Sequence, residues 1–326
     1  MKSARRSALL AGLSAGAQVV LGPGAMAQAY PSRPIRMVVP FATGGGSDFI
    51  GRFMAQRLSQ SLGQSVVVEN RPGAGSVLGI EMVVKSPADG YTLGLIASSY
   101  TVTPSLYKLK FDPVEDISPI VQFSQGPMLV VVGKSVPVNT LAELIALARA
   151  RPGTLNYASA GQGSITHLAC AYFADMAGLQ MTHVPYKGTG PALTDTISGQ
   201  TQVFFSSTAT SLPHVQSGAL KALAVTTAER LPALPKVPTV KESGLPGYDV
   251  PLWHGLIGPR GLAPPIIERL ASESAKTLAL RETAEQLAHD GVSPALGGTP
   301  ERYRARIAAE IEQWRKVVVN AGIKLE

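Results

Sequence analysis

Cysteine is almost absent from this sequence, because Cys170 is the only one among its 326 residues. A single cysteine excludes an internal disulfide and any metal site built from several thiolates. We interpret Cys170 as a small buried apolar residue, which is the commoner role of a free cysteine. The histidines show no metal-binding spacing such as His-Glu-x-x-His, and we expect neither a metal nor a cofactor. They are His167, His183, His214, His254 and His289.

Clusters of positive charge are missing as well. The chain has 29 Lys and Arg against 22 Asp and Glu, a formal net charge of +7, but its basic residues are dispersed. No run rich in Lys and Arg is interleaved with aromatic residues, which make up only 6% of the chain. This pattern gives no support to nucleic-acid binding, whereas a mild positive balance suits small anionic ligands. Beyond the N-terminus, no segment is apolar enough to cross a bilayer.

The first 29 residues have the pattern of a secretory signal peptide. Three basic residues precede an apolar stretch, and "GAMAQA" then offers small residues for cleavage after Ala27 or Ala29. The Arg5-Arg6 pair leaves twin-arginine export open beside the general secretory route. Removing the leader leaves 26 basic and 22 acidic residues, a net charge of +4. We therefore predict a periplasmic protein exported through this leader.

Short β-rich runs alternate with helical stretches from Arg33 onward. The segments "PIRMVVPF", "SVVVEN" and "YTLGLIAS" predict buried strands, with the helices "SDFIGRFMAQRLSQSLG" and "SVLGIEMVVKS" between them. A second series follows the amphipathic helix "NTLAELIALARARPG" and contains "LNYASA", "MTHVPY" and "TQVFFSS". Such alternation is typical of βαβ units. Two series of similar size predict two α/β lobes with a cleft between them, followed by long C-terminal helices.

Glycine-rich loops follow three of the predicted strands. They are "VPFATGGGSD", "NRPGAGS" and "YASAGQGSITH". Ligands of open α/β sheets bind beyond the carboxyl ends of strands, and glycines let the amides of a helix N-terminus approach an anion. One such loop fits a tight turn without a ligand equally well, but three loops from two series favour a shared cleft for a carboxylated molecule. Neither the P-loop sequence nor the G-x-G-x-x-G spacing is present.

A serine nucleophile is the competing explanation of the same loops. Ser47 or Ser164 would need a base, and His167 follows Ser164 by three residues on a predicted helix. No G-x-S-x-G elbow or suitably spaced orienting acid accompanies either serine. We interpret His167 as structural and Asp48 as a helix cap or loop brace. An exported serine hydrolase remains a competing hypothesis.

The ordered motifs resemble those of the Bug proteins, the extracytoplasmic solute receptors of the tripartite tricarboxylate transporter family. The segments that carry the resemblance are "VPFATGGGSD", "NRPGAGS", "SPADGYTL", "LNYASAGQGSITHLA", "HVPYKGTGPAL", "LKALAVTTAERLPALPKVPTVKESGLPGY" and "HGLIGPRG". The resemblance implies an α/β, two-lobed type-2 periplasmic binding protein fold, each lobe a mixed, parallel-rich sheet flanked by helices. The implied division is a signal peptide over 1–29, lobe 1 over 30–130 plus 251–326, and lobe 2 over 131–250.

The resemblance also implies a set of ligand-binding residues, none of them catalytic. Family ligands are small carboxylates, including di- and tricarboxylates, acidic amino acids and aromatic acids, held by loop amides, hydroxyls and water. The matching positions are Phe41, Thr43, Gly44, Gly45, Gly46, Ser47, Asp48, Gly73, Ala74 and Gly75 in lobe 1, and Ser159, Gly161, Gly163, Ser164, His167, Ser206, Ser207 and Thr208 in lobe 2.

Two positions depart from the family pattern and affect the group that the ligand presents there. Ser206-Ser207 stand where an Asp is frequent, and Ser76-Val77 stand where a Gly-Asn-like pair is common. The implied function is capture of a carboxylate by lobe closure, without chemistry, by a monomer that delivers it to membrane permease subunits. A periplasmic receptor that senses the ligand for signalling is the alternative.

Overall fold

The computed structural model describes residues 30–44, 46–289 and 291–323. The predicted signal peptide and Gly45 lie outside the described residues. Within the described part of the chain, no helix has the length and apolar character needed to span a membrane.

The first sheet has six strands, in the order β11-β4-β10-β3-β1-β2. Strands β1, β2 and β3 are parallel to one another, whereas β10 runs antiparallel to β3 and β4, and β11 runs antiparallel to β4. The strands are β1 (Ile35–Val39), β2 (Val66–Asn70), β3 (Thr92–Ala97), β4 (Ile117–Gly126), β10 (Leu252–Pro259) and β11 (Ser293–Pro294).

The second sheet has five strands, in the order β7-β6-β8-β5-β9. Its strand β6 is parallel to β7 and β8, and β5 is antiparallel to β8 and β9. Both sheets are therefore mixed, with a parallel group beside antiparallel strands. The strands are β5 (Met128–Gly133), β6 (Asn156–Ser159), β7 (Thr182–Pro185), β8 (Val203–Ser207) and β9 (Leu220–Val225).

Helices flank both sheets, which confirms the α/β class predicted from the alternating pattern. Helix α1 illustrates why they form, because Ile50, Met54, Leu58 and Leu62 recur every four residues and are all buried. The helices are α1 (Gly46–Leu62), α2 (Val77–Val84), α3 (Thr103–Leu106), α4 (Leu141–Ala150), α5 (Ile165–Ala177), α6 (Thr189–Ser198), α7 (Thr208–Gln216), α8 (Pro264–Leu278), α9 (Arg281–His289) and α10 (Pro300–Asn320).

The chain passes between the sheets at two places that lie side by side. It leaves the first sheet at Pro127, between β4 and β5, and returns just before β10. Buried Thr226 connects these crossings, because its Oγ1 accepts a hydrogen bond from the Met128 amide (2.9 Å) and donates one to the Val250 carbonyl (2.7 Å). All of β5 belongs to the second sheet, so the sheet exchange precedes residue 131; the lobe boundaries given above remain a prediction.

Helix α10 packs against both sheets' cores. Its N-terminal half contributes Tyr303 and Ile307 to a buried cluster around Trp253 of β10. Its C-terminal half contributes Trp314, which contacts Tyr172 of α5 with ring centroids 6.1 Å apart. One helix thus completes the hydrophobic core of both lobes.

Candidate functional site

A cavity of about 840 Å³ lies between the two lobes, at the ends of strands from both sheets. Loops of the first sheet form one wall and loops of the second sheet form the other. The described lining residues are Pro40, Phe41, Ala42, Gly44, Gly46, Ser47, Ile50, Pro72, Gly73, Gly75, Ser76, Ala97, Ser98, Ser99, Thr103, Leu106, Tyr107, Ala160, Gly161, Gln162, Gly163, Ser164, Ile165, Thr166, Thr189, Ser207, Ala209, Thr210, Leu252, His254 and Val292.

In the described part of the chain, five helices of eight or more residues begin at this cavity. Helices α1 and α2 come from the first lobe, and α5, α6 and α7 come from the second. The first amides of a helix have no partner within the helix, and the helix dipole places partial positive charge there. The N-termini therefore create a positive potential that favours an anion from both walls.

Charged side chains are missing from the described lining of the cavity, which contains no Asp, Glu, Lys or Arg. An anion in this place would thus be held by amides, hydroxyls and helix ends rather than by an arginine or lysine. Apolar side chains also line the cavity, including Ile50, Leu106, Ile165, Leu252 and Val292. A lining that combines amides and hydroxyls with apolar side chains suits a small molecule that has both polar and apolar parts.

The Asp48 side chain stabilises the first glycine loop through hydrogen bonds. This carboxylate is buried and accepts hydrogen bonds from the Gly44 amide (2.9 Å), Arg52 Nε (3.0 Å) and Asn70 Nδ2 (2.9 Å). Burial would raise the pKa of Asp48, but these hydrogen bonds outweigh it and hold the pKa below its usual range. Asp48 and Thr43 do not line the cavity, whereas Phe41, Gly44, Gly46 and Ser47 do.

The second glycine loop makes a tight turn against Tyr107. Gly75 has φ +62°, and a Cβ there would lie 2.6 Å from Cε2 of the Tyr107 ring. Ser76 follows with φ +86°, which is unusual for a residue other than glycine, and its buried hydroxyl has no hydrogen-bond partner in the described structure. Gly73 and Gly75 line the cavity, and Ala74 lies between them in a turn of 3₁₀ helix.

The third glycine loop caps helix α5. Ser164 Oγ accepts from the His167 amide (3.3 Å), and the Gly163 amide donates to His167 Nδ1 (3.1 Å). Gly161, Gly163 and Ser164 line the cavity. Ser159 and His167 are buried behind the loop, where Ser159 Oγ lies 2.7 Å from His183 Nε2.

The segment after β8 divides between the cavity and the core. Ser207 lines the cavity, with its Oγ 2.7 Å from Thr210 Oγ1. Ser206 is fully buried, and Thr208 is buried with its hydroxyl donating to the Pro127 carbonyl (2.8 Å). Of this trio, only Ser207 is placed to meet a ligand directly.

Several lining residues were not predicted from the sequence. Ser98, Ser99, Thr103 and Tyr107 follow β3, whose carboxyl end lies at the same edge as those of β1 and β2. The rule that placed the glycine loops there applies equally to the "ASSY" segment after this strand. His254 is a further omission, and it lies on β10 with Nε2 3.1 Å from Ser47 Oγ.

The geometry does not assemble the serine hydrolase considered above. The ring Nδ1 of His167 accepts from the Gly163 amide, while Ser164 Oγ donates to the Gly161 carbonyl (2.7 Å). Ser47 does meet the ring of His254, but the other ring nitrogen faces Ser124 Oγ at 3.0 Å rather than a carboxylate. A triad needs an acid at that place. Among the described residues, no group of three or more His, Cys, Asp and Glu is arranged to hold a metal ion.

Two α/β lobes, adjacent crossings and a cavity between the lobes define a two-lobed solute-binding protein. The family model described as "Tripartite tricarboxylate transporter family receptor" matches residues 50–323. The chain therefore belongs to this receptor family, as its motifs predicted. Members of this family are receptors, and the protein is a receptor rather than an enzyme.

Several known proteins are similar to this chain over most of its length. BugT of Bordetella pertussis is 37% identical over 303 residues, which cover 92% of this chain and 93% of BugT. A solved R. palustris protein with adipate is 37% identical, with a TM-score of 0.80, covering 91% of this chain and 100% of that one. MatC from Rhodopseudomonas palustris with bound malate is 31% identical, with a TM-score of 0.77, covering 89% and 100%.

Proposed function

We propose that the protein captures a small carboxylate between its lobes and delivers it to a membrane transporter of the tripartite tricarboxylate type. The observation that carries this proposal is the convergence of five helix N-termini on a cavity without charged side chains in its described lining. A carboxylate there accepts hydrogen bonds from free amides and hydroxyls. Each such charge-assisted bond contributes about 1.5–3 kcal/mol when water is excluded.

The relatives support the carboxylate class of ligand. One R. palustris protein was solved with adipate, and MatC was solved with bound malate. Adipate and malate each carry two carboxyl groups. Helix N-termini from both lobes begin at the cavity, so each carboxylate of such a molecule can face a different lobe. Acidic amino acids, tricarboxylates and aromatic acids belong to the same proposal.

Residues 1–29 support a periplasmic location, because a basic start, an apolar middle and small residues at the cleavage site are features of an export signal. The mature protein would then bind its ligand outside the cytoplasmic membrane and present the closed lobes to permease subunits. This sequence of events matches the receptor role of the family.

A thermal-shift screen with dicarboxylates, tricarboxylates, acidic amino acids and aromatic acids tests the proposal. A ligand at 100 times its Kd stabilises the native state by about 2.7 kcal/mol, which gives a clear rise in Tm. Binding is then measured for Gly46→Asp and Gly46→Ala, because a Cβ at Gly46 meets no atom within 4 Å. The added carboxylate of Gly46→Asp would repel a ligand carboxylate at the start of α1. We expect Gly46→Ala to retain binding and Gly46→Asp to lose it. No response to any acid would refute the proposal, and so would equal affinity in the two variants.

A further inference from the structure

His254 connects a lining residue of the cavity to a buried hydroxyl near the lobe crossing. Its Nε2 lies 3.1 Å from Ser47 Oγ at the start of α1, and its Nδ1 lies 3.0 Å from Ser124 Oγ on β4. His254 and Ser47 line the cavity, whereas Ser124 is fully buried and does not. The imidazole ring of His254 thus lies between the hydroxyl groups of Ser47 and Ser124, and each of its nitrogens is within hydrogen-bond distance of one of them.

The sheet register explains this arrangement. His254 and Ser124 are directly opposite one another on antiparallel β10 and β4, so their side chains lie on the same face of the sheet. The register shifts between His254 and Gly255, and such a bulge re-aims the neighbouring side chain. The imidazole therefore extends past its cross-strand neighbour toward the first turn of α1.

The hydrogen bonds of Ser124 determine which ring nitrogen of His254 carries the proton. Burial lowers the pKa of His254 to about 4, so the neutral ring has one N–H at physiological pH. Within the described structure, the only hydrogen-bond partner of Ser124 Oγ is Nδ1 of this ring. If Nδ1 carried the proton, the buried Ser124 hydrogen would have no acceptor, at a cost of about 1–3 kcal/mol. Ser124 therefore donates to Nδ1, and the proton resides on Nε2.

The Nε2–H tautomer fixes the role of Ser47 in turn. Its Oγ accepts from His254 Nε2, so its own hydrogen is free to be donated, and the other described lining residues supply no acceptor to it. We propose that Ser124, His254 and Ser47 form a directed hydrogen-bond relay in which Ser47 donates to a carboxylate oxygen of the ligand. This inference rests on the proposed function, and it makes His254 a positioning residue for that site.

The relay gives this end of the cavity a defined chemical preference. A group that only accepts hydrogen bonds, such as an ionised carboxylate, satisfies the Ser47 hydroxyl. An ammonium group can only donate, so it can use the second lone pair of Ser47 Oγ but leaves the Ser47 hydrogen without an acceptor. The relay thus selects an acidic group at the α1 wall without any cationic side chain.

The first test reads the tautomer directly in the ligand-free full chain. Nitrogen-15 NMR of histidine-labelled protein at neutral pH distinguishes the two neutral tautomers, and His254→Leu identifies the resonances. We expect a single Nε2–H tautomer. In Ser124→Ala the reason for that preference is removed, and we expect a mixture of tautomers. An Nδ1–H tautomer or a mixture in the unmodified protein would overturn the relay.

The second test measures adipate affinity by calorimetry in Ser124→Ala and a matched control. Ser118 is also buried on β4 and donates to the Pro259 carbonyl (2.9 Å), so Ser118→Ala removes a comparable bond away from the cavity. We expect Ser124→Ala to weaken adipate binding by about three- to tenfold, the equivalent of one hydrogen bond, and Ser118→Ala to leave it unchanged. Equal losses in the two variants would indicate a merely structural effect and overturn the proposal.

A double-mutant comparison separates the relay from independent contacts. Because the relay acts through Ser47, Ser124→Ala should have no further effect on affinity in a Ser47→Ala background. His254→Gln, whose amide can still donate to Ser47, should retain more affinity than His254→Leu. Additive losses would contradict the relay. Failure of every carboxylate to bind would refute the proposed function instead, and the tautomer measurement would still decide the relay.

Discussion

The imidazole rings of His167 and His183 lie face to face, with centroids 3.7 Å apart and planes within 2° of parallel. The pair packs behind the third glycine loop, and the ring of Tyr157 stacks on His183 at 5.0 Å. Burial lowers the pKa of His167 to about 3, with a further contribution from His183, and burial lowers the pKa of His183 to about 4. Both rings are thus neutral at physiological pH.

This histidine pair predicts a loss of stability in mild acid. Between about pH 6.5 and pH 4 the unfolded chain binds protons at these positions and the folded chain does not, so the free energy of unfolding falls as pH falls. Urea denaturation at several pH values measures the slope. We expect His183→Gln, which cannot titrate, to reduce the slope in this range and to leave it unchanged above pH 7. An unchanged slope in the variant would contradict the assignment.

Asp48→Asn should destabilise the protein by about 2 kcal/mol at neutral pH, because three hydrogen bonds to a charged acceptor are weakened. The lowered pKa of Asp48 fixes the sign of the pH dependence: its stabilisation is fully present above the ordinary pKa of an Asp. It is lost as pH falls through the lower folded value. The difference between the two proteins should therefore shrink in strong acid.

Glu285→Gln is the matched control for Asp48→Asn. Its partner is Arg281, and both side chains of this ion pair are largely exposed. We expect a cost of at most about 0.5 kcal/mol, as is typical of a surface pair on a helix. If denaturant titrations gave similar losses in the free energy of unfolding for the two variants, Asp48 would contribute no more to stability than an exposed ion pair.

Gly75→Ala should reduce both stability and ligand affinity. The new methyl group would meet the Tyr107 ring at 2.6 Å and would also sit on a backbone with positive φ. Gly63→Ala is the control, since Gly63 has a similar φ of +69° and no atom within 4 Å of the added Cβ. We expect about 1 kcal/mol for Gly63→Ala, from the backbone alone, and at least twice that for Gly75→Ala. Only Gly75→Ala should weaken adipate binding; an effect confined to stability would show that the contact between Gly75 and Tyr107 does not affect ligand affinity.

Ser76→Gly should stabilise the protein by about 1 kcal/mol. Glycine adopts φ +86° without the penalty that serine incurs, and the substitution removes a buried hydroxyl that lacks a partner. Ser76→Ala removes only the hydroxyl and retains the strained backbone. Chemical denaturation should therefore rank Ser76→Gly above Ser76→Ala, and the reverse order would show that the backbone strain is negligible.

Local sequence patterns predicted most of the fold. Apolar runs followed by glycine-rich loops located β1, β2 and β6, and the segment "SDFIGRFMAQRLSQSLG" located α1. Strand β4 was missed because Ser118, Gln122 and Ser124 interrupt its apolar pattern. Those polar side chains find partners on β10 and α10, which are remote in sequence.

The candidate site could be predicted only in part from the sequence, because some of its contacts also join residues that are remote in sequence. Glycines at strand ends are a local signal, and they indicated the loops around Gly44, Gly73 and Gly161. His254 and Ser47 are 207 positions apart in the sequence, and a local periodicity cannot predict a contact between them. Ser206 and Thr208 lie beside Ser207 in sequence, but the alternation of a strand and the first turn of α7 direct them into the core.

Helix α10 contributes to the cores of both lobes, so the two lobes are not independent folding units. A fragment that contained only the second sheet and its own helices would lack Trp314, Val317 and Val318, and would expose to water the apolar surface that these side chains cover. An isolated fragment would therefore be prone to aggregate. Because both cores include side chains of α10, neither lobe can complete its core until Pro300–Asn320 has been synthesised.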